Sequence, residues 1–158
     1  RSHVGEGTTF EVYLPEHIAV APLERPAAAV GNFGTGQRIL FIDDEAVIGG
    51  AASLFLQRHG FSVVTHTDPR AALEAFTAKP DAFDLVVTDL TMPHLDGVEV
   101  ARQVARQRPG MPVLLATGQP GAWAPEALRA VGIRGLLTKP LTVAKLTRAV
   151  SDALASAG

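Results

Sequence analysis

From Arg38 onward, unbroken apolar runs alternate with apolar positions at helical spacing. Ile39–Asp43 is an apolar run ending in acids, of a length that suits a strand rather than a helix. Behind it Val47, Ile48, Ala51, Leu54 and Phe55 recur at helical spacing, and Gly60 stands where a helix stop is expected. Phe61–Thr65 reads as the second strand. Asp68-Pro69 reads as an N-cap and first helical residue, with Ala72, Leu73, Ala75 and Phe76 supplying the apolar face. Asp84–Asp89 is a third strand, followed by a loop and a helix near Val98–Arg108 that Pro109-Gly110 stops. Pro112–Thr117 is the fourth strand, Pro125–Val131 a shorter helix and Gly135–Lys139 the fifth strand. Val143, Leu146, Val150 and Leu154 line a last helix.

Five strands each followed by a helix need crossover connections, and crossovers make the strands parallel. The apolar runs ILFI, LVV and VLLA fit central strands covered on both faces. The fold class predicted is α/β: a doubly wound, five-stranded parallel sheet in the flavodoxin-like order, (βα)5, with an N-terminal extension. In that extension Thr8, Phe10, Val12 and Leu14 alternate with Thr9, Glu11 and Tyr13, a strand signal closed by Pro15. Residues 16–37, rich in Ala, Pro and Gly, read as a linker, and residues 38–156 as the main domain.

Composition narrows the function. The 158 residues suit one ordinary domain plus extra chain. A net charge of −2 with no basic run argues against nucleic acid. The absence of cysteine excludes thiolate metal sites. No apolar run reaches the ~20 residues of a membrane helix, so no membrane contact is expected of this piece. A chain that starts at Arg1 reads as part of a longer protein.

In an open parallel sheet, ligands bind outside the carboxyl ends of the strands. Here those ends carry Asp43-Asp44-Glu45, Asp89, Thr117 and Lys139-Pro140. Carboxylates brought close together repel, and a hard divalent cation relieves that repulsion. An all-oxygen set with an open side suits Mg²⁺ holding a phosphate, whereas Zn²⁺ would want His or Cys. Phosphoryl transfer needs an in-line nucleophile and neutralised equatorial oxygens. Asp89 can be that nucleophile, with Lys139 and the Thr117 hydroxyl each holding part of the phosphate.

The pieces FIDDE (Phe41–Glu45), VVTDLTMPHLDG (Val86–Gly97), LLATG (Leu114–Gly118) and LLTKP (Leu136–Pro140), in that order, resemble the response-regulator receiver family. The resemblance implies a domain that takes a phosphoryl group onto Asp89 from a histidine kinase or histidine phosphotransfer protein, in the cytoplasm. It implies Asp44 as a direct Mg²⁺ ligand and Asp43 as a direct or water-mediated one. Asp89 and the main-chain carbonyl of Thr91 complete the implied set. Thr117 and Lys139 would hold the phosphate, the Lys139-Pro140 bond would be cis, and Gly97 would ease the turn into the third helix. One departure is Leu136, which stands where the family commonly has an aromatic switch residue. The piece GEGTTFEVYLP resembles the end of a histidine-kinase ATP-binding domain, so residues 1–15 are expected to be its last strand and the parent a hybrid sensor kinase.

Plainer readings exist for each residue. Strand-end acids are often solvated turn or capping groups, and a lone Lys is usually a surface cation. His94, close to Asp89, is expected to be a loop residue rather than a base, and His17 a solvated linker residue. A phosphatase of the haloacid-dehalogenase type also uses Asp, Thr, Lys and Mg²⁺, but needs D-x-D on its first strand, which Asp43-Asp44-Glu45 does not supply. A receiver kept only for docking is the remaining alternative.

Overall fold

Aliphatic runs form the sheet, and each helix covers it with the apolar face that its sequence provides. The structure is a computed structural model that describes residues 2–3, 7–8, 11, 33–119 and 125–156. The chain divides into two units, residues 1–30 and 31–158. In the first, strand β1 (Ser2–His3) pairs antiparallel with β2 (Gly7–Thr8). Apart from Thr8 and Glu11, the alternating stretch predicted over Thr8–Leu14 lies outside the described residues, as do residues 12–32 of the expected strand end and linker.

The second unit runs β3 (Arg38–Ile42), α1 (Ala46–Arg58), β4 (Ser62–His66), α2 (Pro69–Ala78), a 3₁₀ turn (Pro80–Ala82) and β5 (Leu85–Asp89). It continues with α3 (Gly97–Gln107), β6 (Val113–Thr117), α4 (Pro125–Ala130), β7 (Ile133–Thr138) and α5 (Val143–Ala155). The sheet order is β4-β3-β5-β6-β7 with every pairing parallel, the flavodoxin-like order predicted. The sheet's centre is read from burial: all five residues of β5 and of β6 are buried, while β4, at an edge, has none fully buried.

Alternation along the strands splits the core in two. Leu40, Ile42, Val86, Val113 and Leu115 face one layer with Phe76 of α2 and Val100 and Val104 of α3. Ile39, Phe41, Leu85, Val87 and Leu114 face the other, with Leu56 of α1 and Leu146 and Val150 of α5. Helix starts are set locally: Asp68 accepts from the Arg70 N–H, Asp96 from the Glu99 N–H and Thr142 from the Lys145 N–H. Because all five strands run the same way, their carboxyl ends share one edge of the sheet, and the reactive residues sit there.

Candidate functional site

Asp43 follows β3, Asp89 ends β5, Thr117 ends β6 and Lys139 follows β7. The registers Ile42↔Thr88, Asp89↔Ala116 and Thr117↔Thr138 place these ends side by side. Asp43 and Asp89 are buried, at 1% and 7% exposure, whereas Asp44 is exposed. One oxygen from each of Asp43, Asp44 and Asp89 lies within 4.8 Å of the others. Two buried carboxylates this close are costly unless a cation faces them.

Lys139 is that cation among the described residues. Its Nζ lies 3.1 Å from Asp43 Oδ2 and 2.9 Å from Asp89 Oδ1. Partial burial works against its charge, but the hydrogen bonds to Asp89 and Asp43 outweigh that and hold its pKa above the ordinary lysine value. The second oxygen of Asp43 accepts from the Glu45 N–H at 3.0 Å, which fixes the carboxylate's orientation. Three acids against one ammonium leave the crevice negative. An all-oxygen cluster with one exposed member fits a hard divalent ion such as Mg²⁺.

The Thr117 hydroxyl is buried and accepts from the Gln119 N–H at 3.0 Å, and its carbonyl accepts from the Lys139 N–H at 2.9 Å. The hydroxyl hydrogen is left to serve a further acceptor. Thr91 is exposed in the loop that follows Asp89. Thus Asp43, Asp44, Asp89 and Lys139 converge, Thr117 is tied to Lys139 through the main chain, and Thr91 stands on the adjoining loop. The Lys139-Pro140 peptide is cis, as the resemblance implied.

Three features were not read from the sequence. Gly97 serves a close approach rather than a turn: a Cβ there would collide with the Asp89 carbonyl oxygen and lie 2.5 Å from Leu115 Cδ1. His94 has φ 72°, and the Leu95 N–H donates to the Pro93 carbonyl at 2.9 Å around it, a strained γ-turn. The turn spans two anchored residues, since Met92 is buried and Leu95 packs on the same core. Beside Lys139, an apolar cavity of about 450 Å³ lies between Val47, Ala51 and Phe55 of α1 and Pro140 and Leu141. The exposed Val47 and Leu54 extend this apolar face of α1. Leu136, at the position where the family commonly has an aromatic, is half-buried against the core.

Comparison with known proteins agrees with this geometry. The response regulator receiver domain family matches residues 39–151. A crystal structure of a response regulator receiver domain protein from Clostridium thermocellum superposes with a TM-score of 0.71 at 30% identity, covering 76% of this chain and 95% of that one. The receiver domain of the hybrid histidine kinase CckA gives a TM-score of 0.63 at 26% identity, covering 74% of this chain and 98% of that one. The sensor kinase CckA of Brucella abortus is 27% identical over 161 residues, 97% of this chain but 17% of that protein. The chain spans between 12% and 51% of the curated relatives it matches. Among the described residues no helix is long and apolar enough to cross a membrane. A five-stranded parallel sheet with acids and a lysine gathered at its carboxyl edge, matched over 113 of 158 residues by one family, places the chain among the response regulator receiver domains, the phosphoacceptor modules of two-component signalling.

Proposed function

We propose that Asp89 is the phosphoacceptor of this receiver. Asp43, Asp44, Asp89 and the Thr91 carbonyl would hold Mg²⁺ beside it, and Lys139 and Thr117 would hold the phosphoryl group. The observation that carries the reading is the single ammonium set between two buried carboxylates, beside a third, exposed one. Three acids against this one ammonium leave negative charge for a further cation to offset.

An Asp89 carboxylate oxygen attacks phosphorus as the P–N bond of a phosphohistidine breaks, and the imidazole nitrogen keeps the bonding pair. Lys139, already 2.9 Å from Asp89 Oδ1, moves its ammonium to a phosphoryl oxygen. The Thr117 hydroxyl donates its free hydrogen to another. When bound, Mg²⁺ offsets negative charge on the transferring group. Hydrolysis then returns Asp89 and inorganic phosphate. The donor histidine belongs to a histidine kinase or a phosphotransfer protein, and the apolar face of α1 beside the crevice suits such a protein partner better than a free small molecule.

The parent chain is read as a hybrid sensor kinase in the cytoplasm. Residues 1–15 end its ATP-binding domain, 16–37 come between, and 38–156 carry the receiver's sheet and helices. Two supports are the resemblance of GEGTTFEVYLP and a match to a sensor kinase that extends over 97% of this chain, beyond the receiver itself.

Intact mass after incubation with acetyl phosphate tests the acceptor. The wild-type chain gains one phosphoryl mass with Mg²⁺ and none without it, and Asp89→Asn gains none. Equal uptake by Asp89→Asn, or uptake that ignores Mg²⁺, would overturn the assignment.

A further inference from the structure

We propose that Phe33–Gln37 is a strap that belongs to the receiver. It clasps the corner where α1 ends and β4 begins, and so fixes the point at which the incoming chain joins the fold. By composition this segment is the end of a linker, and a free linker would make no specific contacts before Arg38. Instead its main chain is bound at three places. The Gly34 N–H donates to the His59 carbonyl at 2.9 Å, the Gly36 N–H to the Gly60 carbonyl at 2.9 Å, and the Gln37 carbonyl accepts from the Ser62 N–H at 2.8 Å. These bonds carry the ladder of the β3–β4 pair, which begins at Arg38↔Ser62, back past the strand's formal start.

Side chains reinforce the clasp. The Phe33 ring stacks on His59 with centroids 5.8 Å apart, and His59 Nδ1 lies 2.7 Å from the Phe55 carbonyl oxygen, which holds the imidazole against α1. The Thr35 N–H donates to Gln37 Oε1 at 2.7 Å, and Gln37 Nε2 donates back to the Thr35 hydroxyl at 3.0 Å. That reciprocal pair shapes the turn around Gly36, whose φ is 97°.

Gly34 gives the most specific sign. It is buried, and a Cβ on it would lie 2.6 Å from Phe61 Cδ1 and 2.8 Å from the Gly60 carbonyl carbon and oxygen. Its φ lies outside the left-handed range, so glycine serves proximity here rather than torsion. A backbone pressed this closely onto another is a packing contact.

The strap lies at the opposite end of the sheet from the acceptor crevice. Arg38 opens β3 and Asp43 follows its other end, a separation of about 17 Å for five residues at ~3.3 Å each. The clasp shares no residue with the crevice, so it stands independently of the acceptor reading.

Hydrogen exchange on the full chain, read by mass spectrometry, tests the clasp without reference to phosphorylation. The Gly34 and Gly36 amides should exchange at least about tenfold more slowly than in an unstructured peptide of the same sequence. Gly34→Ala should return residues 33–37 to the unstructured rate while peptides over β5 and β6 stay slow. Should that variant fail to fold, Phe33→Ala, which removes only the stacked ring, should speed the same amides by a smaller factor. Unstructured rates for Gly34 and Gly36 in the wild-type chain, or no acceleration in either variant, would overturn the proposal.

Discussion

Replacing Gly97 with Ala adds one methyl group at the start of α3, and the structure gives it nowhere to go. The new Cβ would overlap the Asp89 carbonyl oxygen and sit 2.5 Å from Leu115 Cδ1, where carbon atoms prefer about 3.5–4.0 Å. Leu115 is fully buried, so its methyl has little room to turn, and the Asp89 carbonyl is backbone at the end of a central strand. Either α3 withdraws by about 1 Å or the strand end gives way. Overpacking of this kind costs roughly 1–3 kcal/mol. Helix propensity returns at most about 1 kcal/mol, and less at the first helical residue. The net loss is therefore about 1–2 kcal/mol, and with a urea slope of about 1–3 kcal/mol per M the midpoint falls by roughly 0.3–2 M. Acceptor chemistry should suffer more than stability, because a displacement of about 1 Å at a reacting group can cost ~100-fold in rate. Gly50→Ala is the internal contrast. Gly50 lies exposed inside α1 with no atom beyond its own stretch of helix within 4 Å of an added Cβ, so Ala there should raise stability by about 0.5–1 kcal/mol. Urea unfolding followed by circular dichroism, beside acetyl phosphate labelling, reads both effects. A Gly97→Ala chain as stable as wild type and labelled at the same rate would refute the close-approach account.

Three further outcomes follow from the geometry. Lys139→Met leaves buried Asp43 and Asp89 facing each other and should cost about 3 kcal/mol in metal-free urea melts, part of it recovered on adding Mg²⁺; a loss under about 0.5 kcal/mol would contradict the bridging role. At position 94, Gly should be more stable than Val by roughly 1–2 kcal/mol, since only Gly takes φ 72° without steric cost, and thermal melts that rank Val above Gly would remove the strain argument. The Asp68 carboxyl is held below its usual value, first by the Arg70 guanidinium hydrogen bond and then by the Arg70 N–H. A carboxyl depressed in the folded state contributes stability above its unfolded pKa and loses it as pH falls through the folded one. An NMR titration should therefore place Asp68 below the ordinary 3.8, with Arg70→Gln moving it upward, and an unmoved midpoint would count against the pair.

The sequence made the sheet legible because its strands are short apolar runs, and all five fall within two residues of their expected places. The candidate site was legible because ligands of a parallel sheet bind outside the carboxyl ends of its strands, and Asp43, Asp89, Thr117 and Lys139 each stand at one. Close approaches left no such trace. Gly34 and Gly97 read as linker and turn glycines, since nothing in a linear pattern tells which backbone will press against which. His94 read as a loop residue, and no linear pattern announced its left-handed torsion between the core-packed Met92 and Leu95. The boundaries of the N-terminal extension rest on alternation, composition and resemblance, since most of it lies outside the described residues.

Lys139 and Asp43 touch although 96 positions separate them in the chain. The proposed acceptor crevice thus comes into being only when the last strand has docked beside its neighbour in the sheet. A nascent or half-unfolded molecule holds the same acids without their ammonium, and so should be a poor substrate for any donor. Labelling at Asp89 would then double as a census of finished molecules, and incomplete chains would draw no phosphate away from the signalling traffic around them.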